Sequence, residues 1–132
     1  MSILALDFGQ KKIGVAISYF AQLTKPFGVY SRKEFLKKVA EIIKTQNVTI
    51  IIIGLPEGKV QDEVYSFGAI LEKNFGIKPF FIDETLTSQE AQKELIIKGI
   101  RRKTRKKLED AYAACLILEK YLSEKNHEKL TN

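Results

Sequence analysis

The hydrophobic pattern changes period several times along the chain, and each change marks an element. Residues 2–8 form an apolar run broken by one carboxylate, Ile3-Leu4-Ala5-Leu6-Asp7-Phe8, and a second apolar run follows at 12–18. The short Gly-containing segment between them predicts a hairpin. A third short strand is expected at Pro26-Phe27-Gly28-Val29-Tyr30. Helical spacing then takes over with Phe35, Leu36, Val39, Ile42 and Ile43, ending near Gln46-Asn47. Ser31 with Glu34 three residues on reads as a capping box at its start.

Val48-Thr49-Ile50-Ile51-Ile52-Ile53 is continuously apolar, as a strand covered on both faces should be, and Gly54-Leu55-Pro56-Glu57-Gly58 is read as its end. A helix is expected from about Val60 to Asn74, with Gly76 just past its C-terminus. A strand over 78–83 follows, with Pro79 at its start, where a missing amide donor is tolerated. Thr87 with Glu90 predicts the start of another helix, stopped by Gly99. The segment 101–107 reads as a basic linker, and a last helix is expected over about Lys107–Lys125. The order is β-β-β-α-β-α-β-α-α. It predicts an α/β fold with a mixed five-stranded sheet, three antiparallel strands leading into parallel ones, and helices on both faces. In such sheets the site lies at the carboxyl ends of the parallel strands.

A chain of 132 residues with no internal boundary or repeat is expected to form one domain, 1–132. No apolar stretch reaches the roughly eighteen residues of a membrane span. The N-terminus enters a strand at once, without the basic and apolar regions of a secretory signal, so a cytoplasmic protein is expected. Cys115 is the sole cysteine and lies on the apolar stripe of the last helix, which excludes a disulfide framework. His127 is the sole histidine and is expected in a polar tail, so triads and zinc sites built on histidine are poorly supported.

The net charge is +6, and the run Arg101-Arg102-Lys103-Thr104-Arg105-Lys106-Lys107 carries six positive charges, so the rest of the chain is neutral. Positive charge concentrated in one place is the footprint of a phosphate-backbone binder, although solvated charge runs are common. Lys11 and Lys12 in the first hairpin are the other candidate phosphate contacts.

Three acids stand at the margins of apolar chain. Asp7 interrupts the first strand, Glu84 follows Phe80-Phe81-Ile82-Asp83, and Asp110 precedes Ala113-Ala114, which would let the last helix approach the sheet closely. Each has an ordinary explanation: Asp7 as a turn former, Glu84 as a helix-entry acid, and Asp110 as a complement to the dipole in a first helical turn. Asp83 and Glu109 are the register alternatives, and alternation along a strand forbids Asp83 and Glu84 from sharing a face. If the three converge, their repulsion calls for divalent cations, and an all-oxygen set favours Mg²⁺ or Mn²⁺. A pair of such ions suits phosphodiester cleavage.

At these residues the chain resembles the YqgF or RuvX family of Holliday junction resolvase-like proteins in the RNase H-like superfamily. The resemblance rests on Leu6-Asp7-Phe8-Gly9 with Ile13-Gly14-Val15-Ala16, on Ile52-Ile53-Gly54-Leu55-Pro56, on Asp83-Glu84-Thr85-Leu86-Thr87-Ser88, and on Asp110 with Ala113-Ala114 and Ile117-Leu118-Glu119. It covers nearly the whole chain. It implies an RNase H-like fold, a nuclease maturing the 5′ end of precursor 16S rRNA, and Asp7, Glu84 and Asp110 as catalytic, metal-binding carboxylates. Thr85 stands where the family often has Arg, and the loop Glu57-Gly58-Lys59 is shorter than the family's. The expected partner is therefore precursor rRNA, bound by a monomer or weak homodimer. The alternatives are branched DNA as substrate, or a non-catalytic RNA-binding assembly factor.

Overall fold

In the computed structural model, residues 1–9, 11–19, 24–56, 58–83 and 102–131 are described, with side chains of the last helix described over 110–124. The first apolar run forms β1 (Ser2–Phe8), and the hairpin returns as β2 (Lys12–Tyr19) and β3 (Thr24–Ser31). Helix α1 (Phe35–Thr45) leads to β4 (Val48–Leu55), and α2 (Gln61–Phe75) leads to β5 (Phe80–Asp83). Helix α3 (Arg102–Thr131) is the last element. The sheet order is β3-β2-β1-β4-β5. Strands β1, β2 and β3 pair antiparallel, while β1-β4 and β4-β5 are parallel, which bears out the expected mixed sheet.

Strand β1 is the central strand, and all seven of its residues are buried. Its alternation sorts the core into two layers. Leu4, Leu6 and Phe8 join Val15, Ile17, Ile51 and Ile53 beneath Phe35, Val39, Val64 and Leu71 of α1 and α2. Ile3 and Ala5 join Ala16, Ile52 and Ile82 beneath Ala114, Cys115, Ile117 and Leu118 of α3. Cys115 is thus the buried small hydrophobe expected of it.

Several local expectations are corrected. Ser31 is the final residue of β3, the N-cap of α1 is Glu34, and no side chain caps that helix, so the capping box does not form. Pairing with β2 holds Ser31 in the sheet against Lys12, which removes it from the helix start. Gly54 does not end β4, because its pairing with both β1 and β5 carries the strand to Leu55. The basic segment is not a linker: residues 102–107 are the opening turns of α3, and His127 lies in the same helix and not in a tail. Lys and Arg are good helix formers, and neither Gly nor Pro occurs between 102 and 131 to stop the helix. Gly76 behaves as expected, ending α2 in the left-handed region at φ 70°. The helix expected after Thr87 lies outside the described residues.

Helix α3 spans the sheet from one edge to the other. Thr24 Oγ1 at the start of β3 donates to Glu119 Oε1 at 3.0 Å, and Lys120 Nζ donates to the Asp83 carbonyl of β5 at 3.1 Å. The helix comes down onto β2 at Gly14, where an added β-carbon would collide with the Asp110 carbonyl and lie 2.9 Å from the Ala111 nitrogen. Backbone cannot rotate out of the way, so Gly14→Ala should lift the helix and cost about 3 kcal/mol, the upper end of overpacking, as read by chemical denaturation. By contrast, the Ser18 hydroxyl is buried and finds no hydrogen-bond partner among the described residues. Ser18→Ala removes that uncompensated group and should raise stability by about 1 kcal/mol in the same assay.

Candidate active site

Asp7 continues the series Ile3-Ala5 and therefore lies on the α3 face of the sheet. It is 8% exposed, the one buried acid among the described residues. The residue paired with it on β2 is Gly14, and the residue paired with it on β4 is Gly54. Both lateral neighbours of the carboxylate therefore lack side chains. Strand β1 ends one residue later, so Asp7 stands at the carboxyl end of the parallel pair β1-β4, where a ligand site is expected.

Asp110 reaches the same patch from α3. Its backbone sits directly against Gly14, the partner of Asp7, and its side chain is partly exposed. Ala111, Ala113 and Ala114 are at most 1% exposed, which confirms that small residues let this stretch of helix settle onto the strands. The expectation that Asp110 belongs to a first helical turn is wrong. It is the ninth residue of α3, more than two turns in, because the basic run extends the helix upstream. An acid at that depth does not complement the N-terminal dipole, whose influence fades within the first turn.

The third acid, Glu84, lies outside the described residues, as does Thr85. Its register alternative Asp83 is described and lies in the opposite phase: Ile82 packs beneath α3 while Phe81 packs toward α2, so Asp83 follows Phe81. Asp83 is exposed and contributes its carbonyl to Lys120. Among the described residues no three His, Cys, Asp or Glu side chains form a metal-sized group. The structure thus brings Asp7 and Asp110 to one patch.

Lys11 and Lys12 are exposed on the turn beside Asp7, which is closed by the Gly9 amide donating to the Lys12 carbonyl at 2.9 Å. Residues 102–107 precede Asp110 by one to two turns of the same helix, and Arg101 lies outside the described residues. Sequence reading missed Gly14, Gly54 and Arg32. The two glycines carried a signal, since glycine inside a strand often marks a close approach of backbone or ligand. Arg32, just past β3, holds its guanidinium carbon 4.4 Å from the centre of the Phe8 ring at the same end of the sheet. No helix of the described residues is long and apolar enough to cross a membrane.

Comparison with known proteins bears on the family and the fold. The family model for RuvX, described as Holliday junction resolvase, matches residues 1–124. A protein of Carboxydothermus hydrogenoformans named "Putative pre-16S rRNA nuclease" is 42% identical over 136 residues, covering 96% of this chain and 99% of the relative. A Leuconostoc mesenteroides protein of the same name is 38% identical and covers 99% of both chains. Among solved structures, Fowlpox virus resolvase with Holliday junction DNA superposes with a TM-score of 0.61 at 15% identity, covering 94% of this chain and 98% of that one. RuvC of T. thermophilus with a Holliday junction substrate gives 0.61 at 14% identity, covering 96% of each chain. These likenesses bear out the RNase H-like fold. With a matching family model over nearly its whole length and relatives well above 30% identity, the chain belongs to the RuvX family.

Proposed function

We propose that this protein is a metal-dependent nuclease that hydrolyses RNA phosphodiester bonds in 5′-end maturation of precursor 16S rRNA. One observation carries the reading: a buried carboxylate at the carboxyl end of the central strand, flanked by Gly14 and Gly54, with Asp110 seated against Gly14. A fold does not require that arrangement. An acid buried in an apolar strand is costly unless paired or bound to a cation, and glycine beside it marks a close approach of backbone or ligand, here that of α3 at Gly14. The names of the relatives supply the substrate class.

Asp7, Asp110 and Glu84 are the proposed holders of Mg²⁺ or Mn²⁺, an all-oxygen set that suits those hard cations. Glu84 is preferred to Asp83 because Asp83 falls in the wrong strand phase. Bound divalent ions supply an activated water and charge compensation for the leaving oxygen. The rest of the work belongs to the chain. Lys11 and Lys12, exposed on the turn beside Asp7, hold phosphates, and the basic run of Arg101, Arg102, Lys103, Arg105, Lys106 and Lys107 supplies the other phosphate contacts. A strand held by both regions would pass the acids at the end of the sheet. Solution in the cytoplasm, with its rRNA, fits these roles.

The family description and the junction-bound resolvases of like fold support a second reading, in which branched DNA is the substrate. Cutting both strands of a four-way junction calls for a two-fold dimer. Labelled precursor rRNA and labelled junction DNA, each incubated with Mg²⁺ or Mn²⁺, separate the two. Site-specific cleavage of the rRNA with the junction left intact is expected, and the reverse result overturns the RNA assignment. Asp7→Asn should lower cleavage by about 100-fold or more while leaving the melting transition and RNA affinity nearly unchanged. Undiminished cleavage by that variant would remove Asp7 from the mechanism. Lys11→Ala and Lys12→Ala should each weaken RNA binding regardless of sequence. Each should also reduce the slope of log affinity against log salt by about 1, measured by filter binding across a salt series.

A further inference from the structure

Phe8 follows Asp7 on β1 but faces the other side of the sheet, toward α1 and α2. Its ring lies 5.1 Å from that of Phe67 on α2, centre to centre. The Arg32 guanidinium covers Phe8 at 4.4 Å, leaving the phenyl ring 5% exposed. Arg32 itself is held from two directions: its Nη2 is 3.5 Å from Glu63 Oε2, and its amide donates to the Lys11 carbonyl at 3.1 Å. Its side chain remains 30% exposed. Around this stack, Phe8, Arg32, Asp62, Glu63, Ser66 and Ile70 line an open groove of about 350 Å³, within the usual size range of small-ligand sites.

The groove's chemistry selects among ligands. Two carboxylates on its wall disfavour phosphate. A planar cation already stacked on an aromatic ring offers a platform for a flat π-system, and the carboxylates accept hydrogen bonds from amino and imino N–H groups. Those are the features by which single-stranded nucleic acid is read: bases splayed out, stacked on arginine or aromatic planes, and hydrogen-bonded along their edges. We infer that this groove holds one unstacked nucleobase, lying on Arg32, from the same strand whose phosphate lies at Asp7. The identity of the ligand rests on the nuclease reading above. Consecutive residues of β1 link the two sites, with phosphate chemistry on the Asp7 face and base readout on the Phe8 face. Lys11 and Lys12 are exposed on the turn past which the strand would cross from one face to the other. Arg32 is a positioning residue in this scheme.

The test uses the full chain carrying Asp7→Asn, so that binding is read without cleavage. Single-stranded RNA oligonucleotides, and matched DNA ones, carry 2-aminopurine at successive positions. One position should be strongly quenched on binding. Adding Arg32→Ala should abolish that quench and weaken affinity about tenfold, the scale of one base stacked on a side chain. Arg32→Lys, which keeps the charge and loses the plane, should resemble Arg32→Ala. An abasic nucleotide at the quenched position should weaken binding comparably when Arg32 is present and have no further effect when it is absent. The abasic series with Arg32 intact carries the test if either substitution fails to fold. Full quench and affinity in Arg32→Lys would reduce Arg32 to a simple charge and overturn the platform, as would binding with no position singled out. Failure to bind any RNA or DNA oligonucleotide would instead overturn the nuclease reading itself.

Discussion

A carboxylate at the end of a strand buried on both faces is the constraint around which this molecule is arranged. Strand β1 has no exposed residue, so any polar group on it must be accommodated by design of its surroundings. Asp7 is accommodated by position and by subtraction. It stands next to the strand's last residue, near the mouth of the sheet, and both of its cross-strand neighbours are glycine. Moving the acid two residues back would place it at Ala5, beneath the apolar stripe of α3 and against Ile52 and Ala16, with no route to water or to a cation. The same residue type would there be a defect of several kcal/mol.

Gly14 serves two ends at once. It puts no side chain beside Asp7, and the space a β-carbon would take is filled by the backbone of α3, which descends onto the strand at Asp110. The approach of α3 to the Asp7 strand is therefore governed by a glycine and by the alanines that follow Asp110. The helix is fixed in azimuth by its stripe of Ala114, Cys115, Ile117, Leu118 and Tyr121 and at the sheet's two flanks by Glu119 and Lys120. A rigid helix of thirty residues then carries the basic turns at 102–107 in fixed relation to the acid patch. A flexible linker would have left that positive charge free to move relative to the acid patch.

Most of the sheet was legible in the sequence because its signals are local. Period-two and continuously apolar runs mark β1, β2 and β4, and Gly76 with Pro79 brackets the entry to β5. Boundaries misled where pairing overrode propensity: Ser31 has the side chain of a helix cap, but strand pairing with Lys12 claims it. The basic run misled for a different reason. A cluster of like charges reads as a solvated loop, whereas each residue taken singly favours helix and nothing in the segment breaks it. At the site, Asp7 and Asp110 were legible because a carboxylate in apolar chain is conspicuous. Gly14 and Gly54 were harder to see, because their role depends on register, and register belongs to the sheet and not to any one strand. Arg32 was invisible, since its place over Phe8 joins the end of β3 to the end of β1 and leaves no trace in local pattern.

The two faces of β1 give the substrate a shape as well as a chemistry. A strand that presents a phosphate to the Asp7 face and a base to the Arg32 groove must turn around the end of the sheet, because Asp7 and Phe8 face opposite sides of it. A continuous duplex cannot make that turn without unstacking and unpairing the base, at a cost of a few kcal/mol. A single-stranded end or a splayed bulge has already lost that stacking. Selectivity would then arise from the geometry of two adjacent side chains, with sequence readout confined to the edge of one base against Asp62 and Glu63. A precursor RNA with an unpaired 5′ extension meets that requirement, and a fully stacked helix does not.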